Sequence, residues 1–260
     1  MKRPQKLAVM LVPTPPYEIC GLAALDGIAS LEMREQIRPP LVGALTVMDL
    51  PAAVEYIESL PEDEASPELW EQVFEICGTY GFEGSSELFW KAIDRLPVDK
   101  QGKYLETQLR DLAISQPTEA MAKLAALPEH PDYLSLVSDV AAAMRTSDPD
   151  GAKAWIGTLE VEARGRAARS FAAGGPSSSV PEMFEWLQSL GISDEHMTVA
   201  TGWIVPRWAA ENGMAASAFV LDLEPGPVRQ KAVVGLVGAW ERSRNLTMPL
   251  CSDLLIFQAS

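Results

Sequence analysis

The chain has 260 residues, 47% of them hydrophobic, and a formal net charge of −15. Its apolar content excludes a disordered polymer. A chain this acidic, with no strong positive patch, lacks the electrostatic footprint of a nucleic-acid binder.

At the N-terminus Lys2, Arg3 and Lys6 flank a six-residue apolar run, Leu7 to Val12, which Pro13 ends. The pattern resembles an export signal with too short a core. A cytoplasmic location is therefore favoured and an exported one is the alternative. No stretch approaches the roughly 18 apolar residues of a membrane span. Residues 1–44 read as an N-terminal segment with a capping helix over 22–44, built around Leu25, Ile28, Leu31 and Ile37.

Between Arg38 and Lys91 there is no Lys or Arg, and eleven acids lie in that stretch. The plain reading is a solvated face that keeps the protein soluble. The sharper reading is a docking surface for a protein or peptide with a basic segment. It would use Glu62, Asp63, Glu64, Glu68, Glu71 and Glu75, with Trp90, which sits off the apolar stripe beside Phe89, as an aromatic anchor.

From residue 45 to 245 the sequence repeats. Leu60, Leu96, Leu127, Leu159, Leu190 and Leu223 recur at gaps of 36, 31, 32, 31 and 33 residues. Looking back seven, four and three residues from each gives one helix face. The sets are Ala53/Tyr56/Ile57, Phe89/Ala92/Ile93, Ala120/Lys123/Leu124, Ala152/Trp155/Ile156, Met183/Trp186/Leu187 and Ala216/Phe219/Val220. With the leucines these are 24 positions, of which only Lys123 is polar. Its stem can lie on the seam with the charge outside.

Start signals precede these helices in Asp49-Leu50-Pro51, Ser115-Gln116-Pro117-Thr118, Ser147-Asp148-Pro149 and Ser179-Val180-Pro181, each a capping residue shortly before a proline. A second apolar helix follows each first one. The fifth of these carries Val199, Trp203, Ile204 and Trp208 with Pro206 inside it, where a kink is expected, and the sixth carries Ala232, Leu236, Val237 and Trp240. Short connections make each pair an antiparallel hairpin. One hairpin cannot bury both its faces, so hairpins stack into arrays. The tail, 246–260, ends in apolar Leu254-Leu255-Ile256-Phe257, which is expected to fold onto the last hairpin.

The residues Asp148-Pro149, Ala152, Trp155 and Leu159, echoed by Pro181, Trp186 and Leu190, resemble the D-P-x-x-A-x-x-W-x-x-x-L repeats of large bacterial α-solenoid proteins. The resemblance covers roughly residues 45–245. It implies an all-α, right-handed α-solenoid of about six antiparallel hairpins, distantly tetratricopeptide- or HEAT-like. It is nearly silent on activity. The tetratricopeptide pattern itself is not met, so that family's ligand-binding positions are not carried over.

The search for chemistry finds little. His130 and His196 both read as exposed loop histidines, and Glu195 stands beside His196. There is no phosphate loop, no nucleophile elbow and no H-E-x-x-H pair. Asp148-Pro149-Asp150-Gly151 imitates a calcium loop, but Gly157 falls where a bidentate Glu is required. Three far-apart cysteines, Cys20, Cys77 and Cys251, give neither a disulfide framework nor a zinc site. No catalytic residue, metal or cofactor is expected from the sequence. The expectation is a non-enzymatic scaffold or adaptor that binds a protein or peptide. The alternative is a helical-toroid hydrolase or lyase using carboxylates. Self-association by pairing the acidic end with the locally basic 226–245 end is a third arrangement.

Overall fold

The structure is a computed structural model that describes residues 30–61, 64–80, 85–175 and 180–242. Every element among the described residues is helical. In order they are α1 (Leu31–Met48), α2 (Leu50–Ser59), α3 (Pro67–Tyr80) and α4 (Ser85–Ala92), the last followed by a 3-10 turn, Ile93–Arg95. Then come α5 (Val98–Ser115), α6 (Pro117–Ala125), α7 (Tyr133–Ser147), α8 (Pro149–Thr158) and α9 (Val161–Ala173). The series ends with α10 (Val180–Ser189), α11 (Asp194–Glu211), α12 (Gly213–Asp222) and α13 (Pro227–Arg242). The chain packs as two units, with the boundary between Tyr104 and Leu105.

The recurring leucine has a specific local job. Leu60, Leu96, Leu159 and Leu223 follow a helical turn in extended backbone, with ψ of 149°, 146°, 157° and 142°. The N–H of Leu60, Leu96 and Leu159 still reaches back to the carbonyl of Ile57, Ile93 and Ile156. An extended residue there turns the chain away while its side chain stays on the apolar seam. None of the 24 stripe positions is exposed, and Lys123 is half-buried. Where Leu159 lacks a following proline or glycine, α9 restarts after the single residue Glu160.

The reverse junction, from a long helix into the next short one, is a single residue. Asp49, Gln116, Asp148 and Asn212 share one backbone conformation, with φ of −151°, −142°, −149° and −143°. Each N–H closes the preceding helix, on Leu45, Leu112, Met144 and Trp208 respectively. The side chains of Asp49, Asp148 and Asn212 then accept from the free amides of Ala52, Gly151 and Ala215 at 3.0, 3.0 and 3.1 Å. One short polar side chain thus satisfies the start of a helix at the residue that ended the previous one. The capping role expected around Ser115 is corrected. Ser115 lies within α5 and donates to the Asp111 carbonyl, and Gln116 takes the junction with no side-chain cap. Ser179 lies outside the described residues.

The first helix departs from expectation in register and extent. Of the expected apolar face, Leu25 and Ile28 lie outside the described residues, and Ile37 is 39% exposed. The buried side of α1 is Arg38, Val42, Leu45 and Thr46, and the helix runs to Met48 through Pro39 and Pro40. The hydrophobic count hid this face because an arginine sits at its centre, held by partners on other segments. The 246–260 tail lies outside the described residues.

In the second unit, hydrogen bonds fix the stacking register. Ser147 donates to the Ala113 carbonyl at 2.8 Å, His196 meets Glu162, and Arg207 meets the Ala173 carbonyl. Each pair is separated by 34 residues, so α5 is linked to α7, and α9 to α11, at equivalent levels. The short helices pair in the same way: Lys153 lies over the Trp186 ring at 5.7 Å, and Phe184 meets Phe219 edge-on at 5.1 Å. The long helices thus pack with long, and the short with short.

The core between these helices is tight. Phe171, Met144, Leu136, Ile204 and Leu236 are all at most 1% exposed. Truncating any of them to Ala removes about 2–5 kcal/mol. Close approach is achieved at small residues. The His196 ring occupies the space where a side chain at Gly165 would stand, and Pro206 Cγ lies 2.8 Å from where one would begin at Gly235. Beyond α10, Gly191 adopts φ 61° and ends the helix as only glycine does easily.

Candidate binding surfaces

The acidic stretch belongs to the first unit, and Glu64, Glu68, Glu71, Glu75 and Glu87 have cations beside them. Glu64 receives Arg34 at 3.7 Å and a close contact from Arg38. The Arg38 side chain is only 5% exposed, and its Nε donates to the Tyr56 hydroxyl at 3.2 Å. Burial works against the Arg38 charge, but the hydrogen bonds to Tyr56 and Glu64 outweigh it and raise its pKa. Glu71 pairs with Lys100, and Glu75 with Lys103 at 3.3 Å. Glu68 is exposed, and its carboxyl is held below the ordinary range by its own backbone N–H, by the Ser66 hydroxyl and by Lys100. Glu62 and Asp63 lie outside the described residues. A cation-free run in sequence is therefore flanked in space by cations from either side of it.

The pairing does not erase the negative potential. The Tyr104 phenol is pushed up to about 12, first by burial and then by Glu75 and Glu71. Lys100 is raised by its hydrogen bond to Glu71. Trp90 is half-buried, with Phe89 edge-on at 5.1 Å. Phe89 in turn meets Phe74, which touches Trp70 and Tyr104. Trp90 is thus the outer member of an aromatic cluster. Cys77 is buried, and burial raises its thiol pKa, as suits a small core residue.

His196 corrects the sequence expectation. It is 6% exposed, in the first turn of α11, with its N–H on the Ser193 cap at 3.4 Å. Its ring lies on Gly165 and its Nε2 meets Glu162 at 3.2 Å, so its partner is Glu162 and not the adjacent Glu195. Glu162 is held low, first by Arg166 and then by His196. His130 is half-buried in its turn and accepts the Asp132 N–H through Nδ1 at 3.1 Å.

Arg145, Arg164 and Arg207 of the second unit bind backbone oxygens. Arg164 spans the Leu159 carbonyl and the Leu190 carbonyl, the latter at 3.1 Å. Arg145, on α7, donates to the Phe171 carbonyl at 3.4 Å, and Arg207, on α11, donates to the Ala173 carbonyl. Both thus reach the carbonyl end of α9, where the helix dipole is negative. Burial, and then Arg207, depress the Arg145 pKa. The Arg207 Nε and Nη2 are buried and have no hydrogen-bond partner among the described residues. Among the described residues neither Arg145, Arg169 nor Arg207 forms an ion pair.

Trp203 is the large departure. Grouped with the core of α11 by its spacing, it is 63% exposed, whereas Trp208 on the same helix is 7% exposed. Val237, 34 residues on, is 40% exposed, and Val234 67%. Trp203 and Ile204 are neighbours, and side chains one residue apart point about 100° away from each other on a helix. Both cannot be central to one face. Ile204 took the core, and Trp203 joined the face of Arg207, a polar signal visible in the sequence.

Among the described residues no helix is long and apolar enough to cross a membrane, and no group of three metal-donor side chains converges. Comparison with family models, with curated proteins and with solved structures returned no match.

Proposed function

We propose that the protein is a non-enzymatic scaffold or adaptor that binds a protein or peptide segment on its helical surface. The observation that carries this reading is Trp203, a 63%-exposed tryptophan on a helix whose stacking against its neighbours already satisfies the core. Large aromatics exposed on a rigid helical layer are the usual anchors of an interface. The test is panning of a random displayed-peptide library against the whole chain, followed by fluorescence polarisation. Peptides that bind the wild type and lose at least about tenfold in affinity on Trp203→Ala support the reading. A library that yields no binder, or binders indifferent to Trp203, overturns it.

A second reading, carboxylate acid–base catalysis, draws on Asp139. Its carboxyl is raised by burial and then by Glu106. A protonatable acid next to an ionised one is what such chemistry uses. Glu106 is also tied to Arg110, which lowers the Asp139 pKa in turn. Loss of a measured hydrolase or lyase activity in Asp139→Asn, with the fold intact, is the result this reading requires.

A further inference from the structure

The charge around Trp203 identifies the chemistry of the segment that docks there. Hydrogen bonds between His196 and Glu162 and from Arg207 to the Ala173 carbonyl set the register of α9 against α11 at 34 residues at both ends of α9. Arg169, which is 34 residues before Trp203, therefore lies level with it on the adjacent helix. Arg207 follows Trp203 by four residues, one turn and about 6 Å along the same face. On the other side, the Lys231 stem packs over Gly202, 2.5 Å from where a side chain there would begin. That puts the Lys231 ammonium beside Trp203 and one turn before the exposed Val234. An exposed indole is thus bordered by Arg169 and Lys231, with the buried Arg207 guanidinium one turn further on.

None of these three cations has a carboxylate partner among the described residues. On the α9 side Glu162 is already held by Arg166 at 2.9 Å and by His196, and on α11 Glu211, one turn after Arg207, has interactions of its own. Arg207 is bonded to a neutral carbonyl, which leaves its full charge in place. At physiological salt the field of more distant acids is screened beyond about 8 Å. The overall charge of −15 therefore does not set the potential at this spot.

We infer that the Trp203 face takes an acidic segment of a partner protein. An apolar side chain of the partner packs on the indole and Val234, and its carboxylates pair with Arg169 and Lys231, drawn also by the uncancelled charge of Arg207 beneath. The inference rests on the scaffold reading above and assigns it the opposite partner charge from the one the acidic stretch invites.

The test uses two fluorescein-labelled peptides, four repeats of Glu-Leu-Glu and four of Lys-Leu-Lys, titrated with the whole chain by fluorescence polarisation. The glutamate peptide is expected to bind, with affinity falling as salt rises. Trp203→Ala and Arg169→Glu should each weaken it by about tenfold or more. Among the described residues neither side chain has a bonded partner, so thermal midpoints within about 2 °C of wild type should accompany that loss. Binding of the lysine peptide alone overturns the acidic-partner inference and leaves the scaffold reading standing. Glutamate-peptide binding unchanged by both variants overturns the placement on this face. No binding of either peptide, in a chain that does retain library peptides through Trp203, overturns the charge assignment only. A concentration-dependent dimer of the free chain that Trp203→Ala dissolves overturns the partner protein in favour of a second copy.

Discussion

The two units treat their cations differently. In the first, Arg34, Arg38, Lys100 and Lys103 cross to other segments and end on carboxylates of Glu64, Glu71 and Glu75. In the second, the arginines that cross end on the carbonyls of Phe171, Leu190 and Ala173. A carboxylate cancels the charge it binds, whereas a carbonyl satisfies the donor and leaves the charge. The first unit is thus a surface of matched ions with residual negative potential. The second carries guanidinium charge that no carboxylate cancels. Local acid content alone predicts the wrong place to look for an unmet charge.

The sharpest break of this comparison is Arg38→Met against Arg207→Met. Arg38 is buried against Glu64 and Tyr56, so its removal leaves Glu64 with only the longer Arg34 contact and should cost about 2–3 kcal/mol in urea unfolding. Arg207 loses one hydrogen bond to a carbonyl and relieves its repulsion of Arg145, so about 1 kcal/mol is expected. Equal losses would erase the distinction between the units.

Next in size is the pH dependence, where two carboxyls of the second unit pull in opposite directions. Glu162 has a depressed pKa in the fold, from Arg166 first and His196 second. Its contribution is present above the unfolded pKa and is lost as pH falls through the folded one. Asp139 has a raised pKa, from burial first and Glu106 second. Its contribution is present below the unfolded pKa and is lost as pH rises through the folded one. Glu162→Gln should therefore lower the thermal midpoint at neutral pH and flatten the acid limb. Asp139→Asn should raise the midpoint at neutral pH and leave it unchanged well below the carboxylate range. Midpoints recorded across that range check both signs.

A spectroscopic measurement reads the residual potential of the first unit. Absorbance titration should show one phenol, that of Tyr104, ionising near 12. In Glu71→Gln or Glu75→Gln its pKa should fall by a few tenths, because burial and not charge is its main cause. The smallest effect is Lys103→Met. Its pair with Glu75 is 72% and 57% exposed, so less than about 0.5 kcal/mol should be lost, and nothing at high salt.

Much of the architecture was legible in the chain because the signals were local. The stripe behind each leucine marked a buried face at every copy, and Asp49 and Asp148 announced helix starts by the chemistry of a single side chain. What was not legible depended on residues far apart in sequence. His196 looked like a loop histidine because Gly165, whose missing side chain gives the ring its place, comes 31 residues earlier. The buried face of α1 was hidden because Arg38 is polar until Tyr56 and Glu64 arrive. The acidic stretch looked unmatched because its cations lie outside it.

The sequence by itself determined that this protein is built of helices and where most of them start and stop, because capping and 3.6-residue periodicity act within a few residues. Only the tertiary structure decided which charges are cancelled and which tryptophan faces water. The stacking register of 34 residues, fixed by contacts such as Glu162–His196 and Ala173–Arg207, brings side chains together that no local pattern links.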